Sequence, residues 1–377
     1  MLDMKTWIMN SIGHMGYIPQ LFKKGLLVPI PKAKKDATIK NNNRGITLIS
    51  VLFKIFEKII IDRHSSWLDQ TMNNDEIQSC GKKKVSCLHS SFIVQETVAH
   101  NVNGGNTVYA TFLDTQKAFD TVWIEGLLYK LLKSGVNTKL WQLIKCAYTN
   151  FECAVVVAGD RGNWFSPKRG VHQGAPLSMY LYTVFINDLL RQLKLSGHGI
   201  SIGHTITTCP THADDVAILA LFKTGLNALL KIAYEYSTKW RYTFNTSKTV
   251  LMIWGKDRQS DISVTFGTEL LQPSNSCTHM GVNFFSDTKL ANEFYKQRSG
   301  GAKGIIYSAK SLGNSNLPVP PKTLSKIYWS VAIPKMLYGL DVTPVNHLTG
   351  LIDILYLTVS GIHPDNQFSK QFSCRYS

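Results

Sequence analysis

The 377-residue sequence lacks several features that would place it in a specialised class of protein. No apolar run approaches the roughly 18 residues of a membrane-spanning helix, so we expect no membrane partner. The first residues, MLDMKTWIMNSIGHMG, lack the apolar core and small-residue cleavage site of a secretory signal. The chain also has no internal repeat. We therefore expect an intracellular protein, in the nucleus, the cytoplasm or both.

Cysteine is sparse, with seven residues and no C-x-x-C pair. An odd number without paired spacing favours free thiols in a reducing compartment over a disulfide framework. Two loose groupings combine cysteine and histidine, but neither has the ligand spacing of a zinc ribbon, so we expect no structural metal there. They are Cys80, Cys87 and His89, and His204, Cys209 and His212.

Acidic residues are also scarce. Against 41 Lys and Arg the chain has 25 Asp and Glu, which gives a net charge of +16. An excess of this size predicts a polyanionic partner, and we favour nucleic acid because no basic amphipathic helix for a membrane surface is evident. The length exceeds what one compact core usually holds, so we expect two or three subdomains.

Two of the few acidic residues are adjacent, in the stretch THADDVAIL (211–219). Asp214 and Asp215 stand inside an apolar run, where they could simply form a turn. They could also hold hard divalent cations at a hairpin tip, if a third carboxylate joined them. Asp114 is a candidate, because it stands at the end of the predicted strand VYATFLD (108–114).

Apolar periodicity predicts an α+β fold with a small antiparallel sheet. Strands are predicted at 108–114, at 246–255 and on both sides of the two aspartates, and a hairpin is predicted at 264–285. Helices are predicted from about 48 to 70, and at 121–134, 138–150, 177–195, 224–240 and most of 290–345.

The segment RGVHQGAPLS (169–178) lies between the acidic elements and carries two glycines. Gly170 and Gly174 would let the backbone approach a ligand closely, and Gln173 could contact a nucleotide. The alternative is an ordinary loop before a core helix.

Several segments together resemble the polymerase motifs of reverse transcriptases, and in particular those of the non-LTR retrotransposon family. The resemblance covers about residues 20–345. The palm motifs are FLDTQKAFDTVW (112–123), RGVHQGAPLS (169–178), HADD (212–215) and NTSKTVLMIWG (245–255). Residues 27–63 look like the fingers segment, SCTHMGV (276–282) like the primer-grip hairpin, and IPKMLYGLD (333–341) like the thumb.

The resemblance implies a right-hand polymerase fold with fingers, palm and a helical thumb. Its divisions would be a lead-in at 1–25, fingers at 26–107, palm at 108–265, the primer-grip hairpin at 266–289, a thumb-like region at 290–350 and a divergent tail at 351–377.

The implied activity is RNA-directed DNA synthesis from dNTPs on an RNA template and a DNA primer. By position, Asp114, Asp214 and Asp215 would bind two Mg²⁺ ions, with Mn²⁺ as a substitute, and Lys248 would be a general acid for the pyrophosphate. The sequence carries no endonuclease pattern, so we expect a separate endonuclease as a partner.

The resemblance also implies five positions around the incoming nucleotide. Arg44, with Lys32 nearby, would clasp the triphosphate, because a planar guanidinium can bond phosphate oxygens in pairs. Gln173 and Gly174 would lie beside the nucleotide, and Phe119 would exclude a ribose 2′-hydroxyl.

This sequence departs from the family pattern at four places, none of them a metal ligand. His212 stands where Tyr or Phe is usual, Ala175 and Met179 replace Ser and Pro, and Gly45 replaces Pro. Two alternatives to a reverse transcriptase remain open. One is a truncated, non-catalytic remnant that only binds nucleic acid, and the other is an RNA-dependent RNA polymerase, which Phe119 disfavours.

Overall fold

A computed structural model describes residues 2–32, 35–73, 78–82, 84–256, 262–311, 319–340 and 342. The predicted divergent tail at 351–377 lies outside these residues. The strands are β1 Lys24–Pro31, β2 Asn43–Ile49, β3 Val108–Leu113, β4 Glu152–Val157, β5 Asp160–Phe165, β6 Ile200–Ile202, β7 Thr205–Thr207, β8 Thr211–His212, β9 Asp215–Ala220, β10 Val250–Trp254, β11 Val264–Phe266, β12 Glu269–Leu271, β13 Ser276–His279 and β14 Val282–Phe285.

Helices surround these strands, and a π-helical turn, Tyr328–Ala332, joins the last two helices. The α-helices are α1 Leu2–Met15, α2 Val51–Arg63, α3 Ser65–Asn73, α4 Cys87–Asn103, α5 Ala118–Thr121, α6 Ile124–Lys133, α7 Thr138–Tyr148, α8 Ser178–Leu195, α9 Lys223–Trp240, α10 Thr288–Ser311, α11 Pro321–Ile327 and α12 Ile333–Leu337. None of the helices in the described part of the chain is long and apolar enough to cross a membrane.

The central sheet has the strand order β10-β3-β9-β8, and every neighbouring pair is antiparallel. Its alternating side chains enter two different cores, because successive residues of a strand point to opposite faces. Leu113 and Ile218 join the core built with α8 and α9, whereas Phe112 and Ala217 join a second core with Phe284 of β14. All six residues of β3 are buried, so the strand is held on both faces.

The second sheet has the order β2-β1-β4-β5, with β1 parallel to β4 and the other pairs antiparallel. It is covered much less completely, and five of the six residues of its edge strand β5 are exposed. One link to the central region is a backbone hydrogen bond in which Thr47 N donates to Gln173 O at 2.9 Å.

The predicted helix at 48–70 is wrong at its start and is interrupted. Residues up to Ile49 form β2, α2 begins at Val51, and a break at His64 separates α2 from α3. The β-branched residues Ile46, Thr47 and Ile49 suit a strand, and pairing with β1 overrides the helical spacing of the apolar residues.

Three other predicted elements differ in detail. The strand predicted at 246–255 begins only at Val250, because Asn245 O accepts hydrogen bonds from Lys248 N and Thr249 N in a turn. The helix predicted at 121–134 is α6, which begins at Ile124, and the short helix α5 precedes it. The hairpin predicted at 264–285 is two successive hairpins, β11–β12 and β13–β14. The predicted domain boundaries stay a prediction.

Candidate active site

The two adjacent aspartates lie on the tight turn between β8 and β9. His212 pairs with Asp215 across the hairpin, which leaves Ala213 and Asp214 as a two-residue loop. Ala213 has a φ of 56°, in the left-handed region that a residue with a Cβ adopts at a cost. Asp214 therefore projects from the turn itself, and Asp215 is the first residue of β9.

The third aspartate reaches the same place from the neighbouring strand. Asp114 directly follows β3, and its backbone is fixed on both sides. Its carbonyl accepts from Asn245 N at 2.7 Å, and its N–H donates to Thr249 Oγ1 at 3.4 Å. The next residue, Thr115, donates from Oγ1 to Asp214 O at 3.5 Å. The end of β3 is thus held against both the aspartate turn and the turn before β10.

The electrostatics show that the three carboxylates act on one another. Burial raises the pKa of Asp215 to about 6, and repulsion from Asp214 and Asp114 adds to the effect. Burial also raises the pKa of Asp214, with a further contribution from Asp114, while the charge of Arg44 acts in the opposite direction. Burial and repulsion between carboxylates therefore both disfavour the charged forms of Asp214 and Asp215.

The chemistry of this donor set fits a hard divalent cation. Carboxylate oxygens are the ligands that Mg²⁺ and Mn²⁺ prefer, and a cation would relieve the repulsion that raises the pKa values. In the described ranges, no three His, Cys, Asp or Glu side chains are already grouped as a metal centre.

Lys248 lies at the edge of the cluster, on the turn before β10. Its Nζ is 3.7 Å from Asp114 Oδ2, and both side chains are more than one-third exposed. An ion pair this exposed contributes little stability. The ion pair nevertheless places the ammonium group of Lys248 next to the carboxylates.

The glycine-containing loop packs on α5 through backbone hydrogen bonds. Gly170 N donates to Val122 O at 2.9 Å, and Val171 N donates to Phe119 O at 2.8 Å. The ring of half-buried Phe119 stacks on Tyr182 of α8, with centroids 4.8 Å apart. Gly174 has a φ of 103°, and a Cβ there would lie 3.3 Å from Thr47 O. Glycine at this position therefore allows both the positive φ of the turn and the close approach of β2.

The two predicted phosphate-binding cations are placed differently. Arg44 is exposed on β2, and its charge acts on Asp214 as described above. Lys32 instead donates from Nζ to Asn41 O at 3.0 Å, within its own loop. The side chain of Lys117 reaches the same loop and donates to Asn41 Oδ1 at 3.2 Å.

The sequence did not reveal the buried tyrosines that support Thr115. Tyr242 donates from its hydroxyl to Thr115 Oγ1 at 2.9 Å, and its hydroxyl also bonds that of Tyr182. Both rings are buried, and burial raises both pKa values, so the hydroxyls stay protonated. No sequence pattern marks these tyrosines, because they come from helices and loops far apart in the chain.

A cavity of about 390 Å³ opens beside the carboxylates. Asp114, Asp215 and Lys248 line it, together with Cys277 and His279 of the hairpin β13–β14. The segment that resembles a primer grip is therefore next to the aspartates.

The matched sequence family identifies the class of protein. A family model described as "Reverse transcriptase (RNA-dependent DNA polymerase)" matches residues 30–284, which include Asp114, Asp214 and Asp215. The chain belongs to the reverse transcriptase family.

The chain is also similar to proteins of mobile and retrotransposable elements. It is 25% identical over 352 residues to the RNA-directed DNA polymerase from mobile element jockey of Drosophila melanogaster, covering 90% of this chain and 37% of that protein. It is 27% identical over 278 residues to the Pol polyprotein of the type-2 retrotransposable element R2DM of the same fly, covering 74% and 24%. The predicted resemblance is confirmed, although the chain spans about a third or less of these relatives.

Solved structures confirm the predicted right-hand polymerase fold. An apo telomerase from Candida tropicalis, truncated from its C-terminal domain, superposes with a TM-score of 0.50 at 13% identity. The match covers 74% of this chain and 57% of the telomerase. At this identity the likeness shows the fold alone.

Proposed function

We propose that this chain is the RNA-directed DNA polymerase of a non-LTR retrotransposon, which adds dNTPs to the 3′-hydroxyl of a primer. One observation carries the proposal: three carboxylates that repel one another lie at the ends of neighbouring strands of a buried sheet. The family to which the chain belongs gives that cluster its role.

Asp114, Asp214 and Asp215 would hold two Mg²⁺ ions, for which Mn²⁺ could substitute. Bound divalent ions supply activation of the primer hydroxyl and neutralisation of the leaving pyrophosphate. The chain itself contributes the rigid placement of the three carboxylates on β3 and on the β8–β9 turn.

Charged and polar residues around the cluster would bind and orient the nucleotide. Arg44 is exposed near Asp214 and can bond phosphate oxygens in pairs. Lys248 can hold a proton for the pyrophosphate, since its ammonium lies at the carboxylates. Gln173 and Gly174 would border the nucleotide from the loop that contacts β2. Lys32 would contact the triphosphate only after its hydrogen bond to Asn41 O breaks.

The ring of Phe119 would exclude a ribose 2′-hydroxyl and so favour dNTPs. Its position on α5, stacked against Tyr182, holds the ring in a fixed orientation. This placement favours a DNA polymerase over the RNA-polymerase alternative.

An RNA template and a DNA primer are the proposed macromolecular partners. The net charge of +16 supports this choice, and binding should weaken steeply as the salt concentration rises, because phosphate contacts release counterions. We also propose an intracellular location, in the nucleus or the cytoplasm, and a separate endonuclease.

Primer extension on poly(rA)/oligo(dT) with Mg²⁺ or Mn²⁺ tests the function. We expect dTTP incorporation by the wild type and at least a hundredfold loss in Asp214→Asn, because a metal ligand is removed. The matched control is Asp160→Asn, which changes an exposed aspartate on β5. Binding of labelled RNA should be the same in all three proteins.

The same assay identifies the alternative. A wild-type chain that binds RNA in a salt-dependent manner but extends no primer with either ion would be a non-catalytic remnant. Preferential UTP incorporation would indicate an RNA polymerase.

A further inference from the structure

The aspartate turn is held by a short segment that is distant in sequence, Gln78–Cys80. Gln78 forms an isolated parallel bridge with Thr211, and Ser79 N donates to Thr211 O at 2.9 Å. All three residues of the segment are buried. The segment therefore lies directly against β8, next to the turn that carries Asp214.

Two residues of this segment contact the turn itself: Gln78 accepts a hydrogen bond from Ala213 N, and the thiol of Cys80 also lies against the Ala213 N–H. The Gln78 side chain is fully buried, and Oε1 accepts hydrogen bonds from Ala213 N and Cys80 N, each at 3.0 Å. Two N–H groups converging on one oxygen fix the orientation of the amide, because the NH₂ group cannot accept. The other end of the amide, Nε2, is buried without a hydrogen-bond partner.

The Nε2 end of the amide is unfavourable for stability. A buried donor without a partner costs free energy that an apolar side chain of similar size would avoid. The gain lies in the two backbone N–H groups that Oε1 accepts, and one of them belongs to Ala213, whose backbone is left-handed and which stands one residue before Asp214. The glutamine thus holds a strained turn in the conformation that presents Asp214.

Ser79 of the same segment contacts His212, one of the four residues that depart from the family pattern. Ser79 Oγ lies 2.8 Å from His212 Nδ1, and Ser90 Oγ of α4 donates to Ser79 Oγ at 2.7 Å and to Thr211 O at 3.1 Å. In this chain, one hydrogen bond from the segment orients the His212 side chain, which stands where the family usually has an aromatic ring.

We propose that Gln78 is a positioning residue for nucleotidyl transfer, which holds the Ala213 N–H so that Asp214 faces the bound divalent ions. This inference rests on the proposed function. Gln78 lies outside the aspartate motifs and would set the geometry of one metal ligand, Asp214.

Gln78→Met tests the proposal, since it removes the acceptor at nearly constant volume. We expect kcat for dTTP incorporation to fall 10- to 100-fold, with the dTTP KM and the RNA Kd within twofold of wild type. The Mn²⁺ concentration for half-maximal binding should rise about tenfold. Hydrogen exchange of the 211–216 segment should become faster.

Ser90→Ala is the matched control, because it removes a buried hydrogen bond to β8 and leaves the contact at Ala213 intact. Its kcat should stay within twofold of wild type. If Gln78→Met fails to fold, Gln78→Asn, whose shorter side chain cannot reach Ala213, should show the same loss.

Three outcomes would overturn the proposal: a kcat within twofold of wild type, an equal loss in Ser90→Ala, or unchanged exchange of the turn. If the wild-type chain extends no primer, the proposed function fails separately. The exchange rate and Mn²⁺ binding then decide the role of Gln78, and faster exchange with tenfold weaker Mn²⁺ binding would support it.

Discussion

The two four-stranded sheets of the molecule differ in how completely they are covered. In the central sheet, β3 is buried along its whole length, and five of the six residues of β9 are buried as well. In the second sheet, the edge strand β5 is almost entirely exposed, and Arg44 on β2 faces solvent. The carboxylates therefore stand on the rigid sheet, and the proposed triphosphate contact stands on the open one.

This difference matches the two tasks that nucleotidyl transfer requires. Divalent ions need carboxylates that hold their positions, which packing on both faces of a sheet provides. A triphosphate must enter and leave, and an exposed strand leaves its cation accessible. The two regions meet at the hydrogen bond from Thr47 to Gln173 and at the close approach of Gly174 to Thr47 O.

Breaking this junction should have the largest effect on stability. Gly174→Ala combines a φ of 103° with a Cβ 3.3 Å from Thr47 O, so we expect a loss of about 2–3 kcal/mol in the free energy of unfolding. Gly197→Ala is the control, with a φ of 76° and no atom within 4 Å of the new Cβ, and should cost only about 1 kcal/mol. Urea denaturation measures both, and equal losses would show that the contact with β2 is unimportant.

Arg44→Ala should mainly weaken nucleotide binding. We expect the dNTP KM to rise by a factor that corresponds to about 1–3 kcal/mol, because charge-assisted hydrogen bonds are lost. Steady-state kinetics would measure this, with Arg161→Ala on β5 of the same sheet as the control. An unchanged KM would remove Arg44 from the site.

Phe119→Val should weaken discrimination between sugars. A smaller side chain leaves space for a 2′-hydroxyl, so the ratio of kcat/KM for dTTP over UTP should fall about tenfold, or about 1.4 kcal/mol. Single-nucleotide incorporation on poly(rA)/oligo(dT) would measure the ratio. The same ratio in Phe165→Val, an exposed aromatic on β5, should stay at the wild-type value. If Phe119→Val left the ratio unchanged, Phe119 would have only a packing role.

The smallest expected effect concerns the charge of Asp215. Its pKa is raised from 3.8 to about 6, so the folded state favours the protonated carboxyl. The stability of the folded state is therefore greatest while Asp215 is protonated, and it falls as the pH rises through about 6 and the carboxyl ionises. Asp215→Asn cannot ionise and should be more stable than wild type at pH 7.5, by about 1 kcal/mol after solvent screening.

Denaturation at pH 7.5 and pH 4 would test this prediction, because the difference in free energy of unfolding between Asp215→Asn and wild type should shrink at pH 4. Mg²⁺ should stabilise the wild type and have less effect on Asp215→Asn. A variant less stable than wild type at pH 7.5 without metal would contradict the assignment.

The sequence predicted those parts of the site that depend on local pattern. Alternation along β3 placed Asp114 at a strand end, and the apolar run around Asp214 and Asp215 predicted a hairpin, as the structure has them. The start of α2 was predicted wrongly, because pairing with β1 decides the conformation of residues 46–49. Local periodicity carries no information about such a partner.

The supporting residues could not be predicted for the same reason. Gln78 contacts the turn across 135 positions, and Tyr242 contacts Thr115 across 127. A single glutamine has no local pattern that distinguishes it from a surface residue. Only the folded chain shows that its amide is buried and bonded to Ala213.

The most direct test of the account is a count of bound Mn²⁺ by electron paramagnetic resonance. The complete chain would be titrated with Mn²⁺ in the presence of RNA template, a dideoxy-terminated primer and the next dNTP. The account predicts two ions bound to the wild type, and the loss of at least one in Asp214→Asn while the RNA Kd stays unchanged. Equal Mn²⁺ binding by the two proteins would contradict the claim that the carboxylates of the buried sheet hold the catalytic ions.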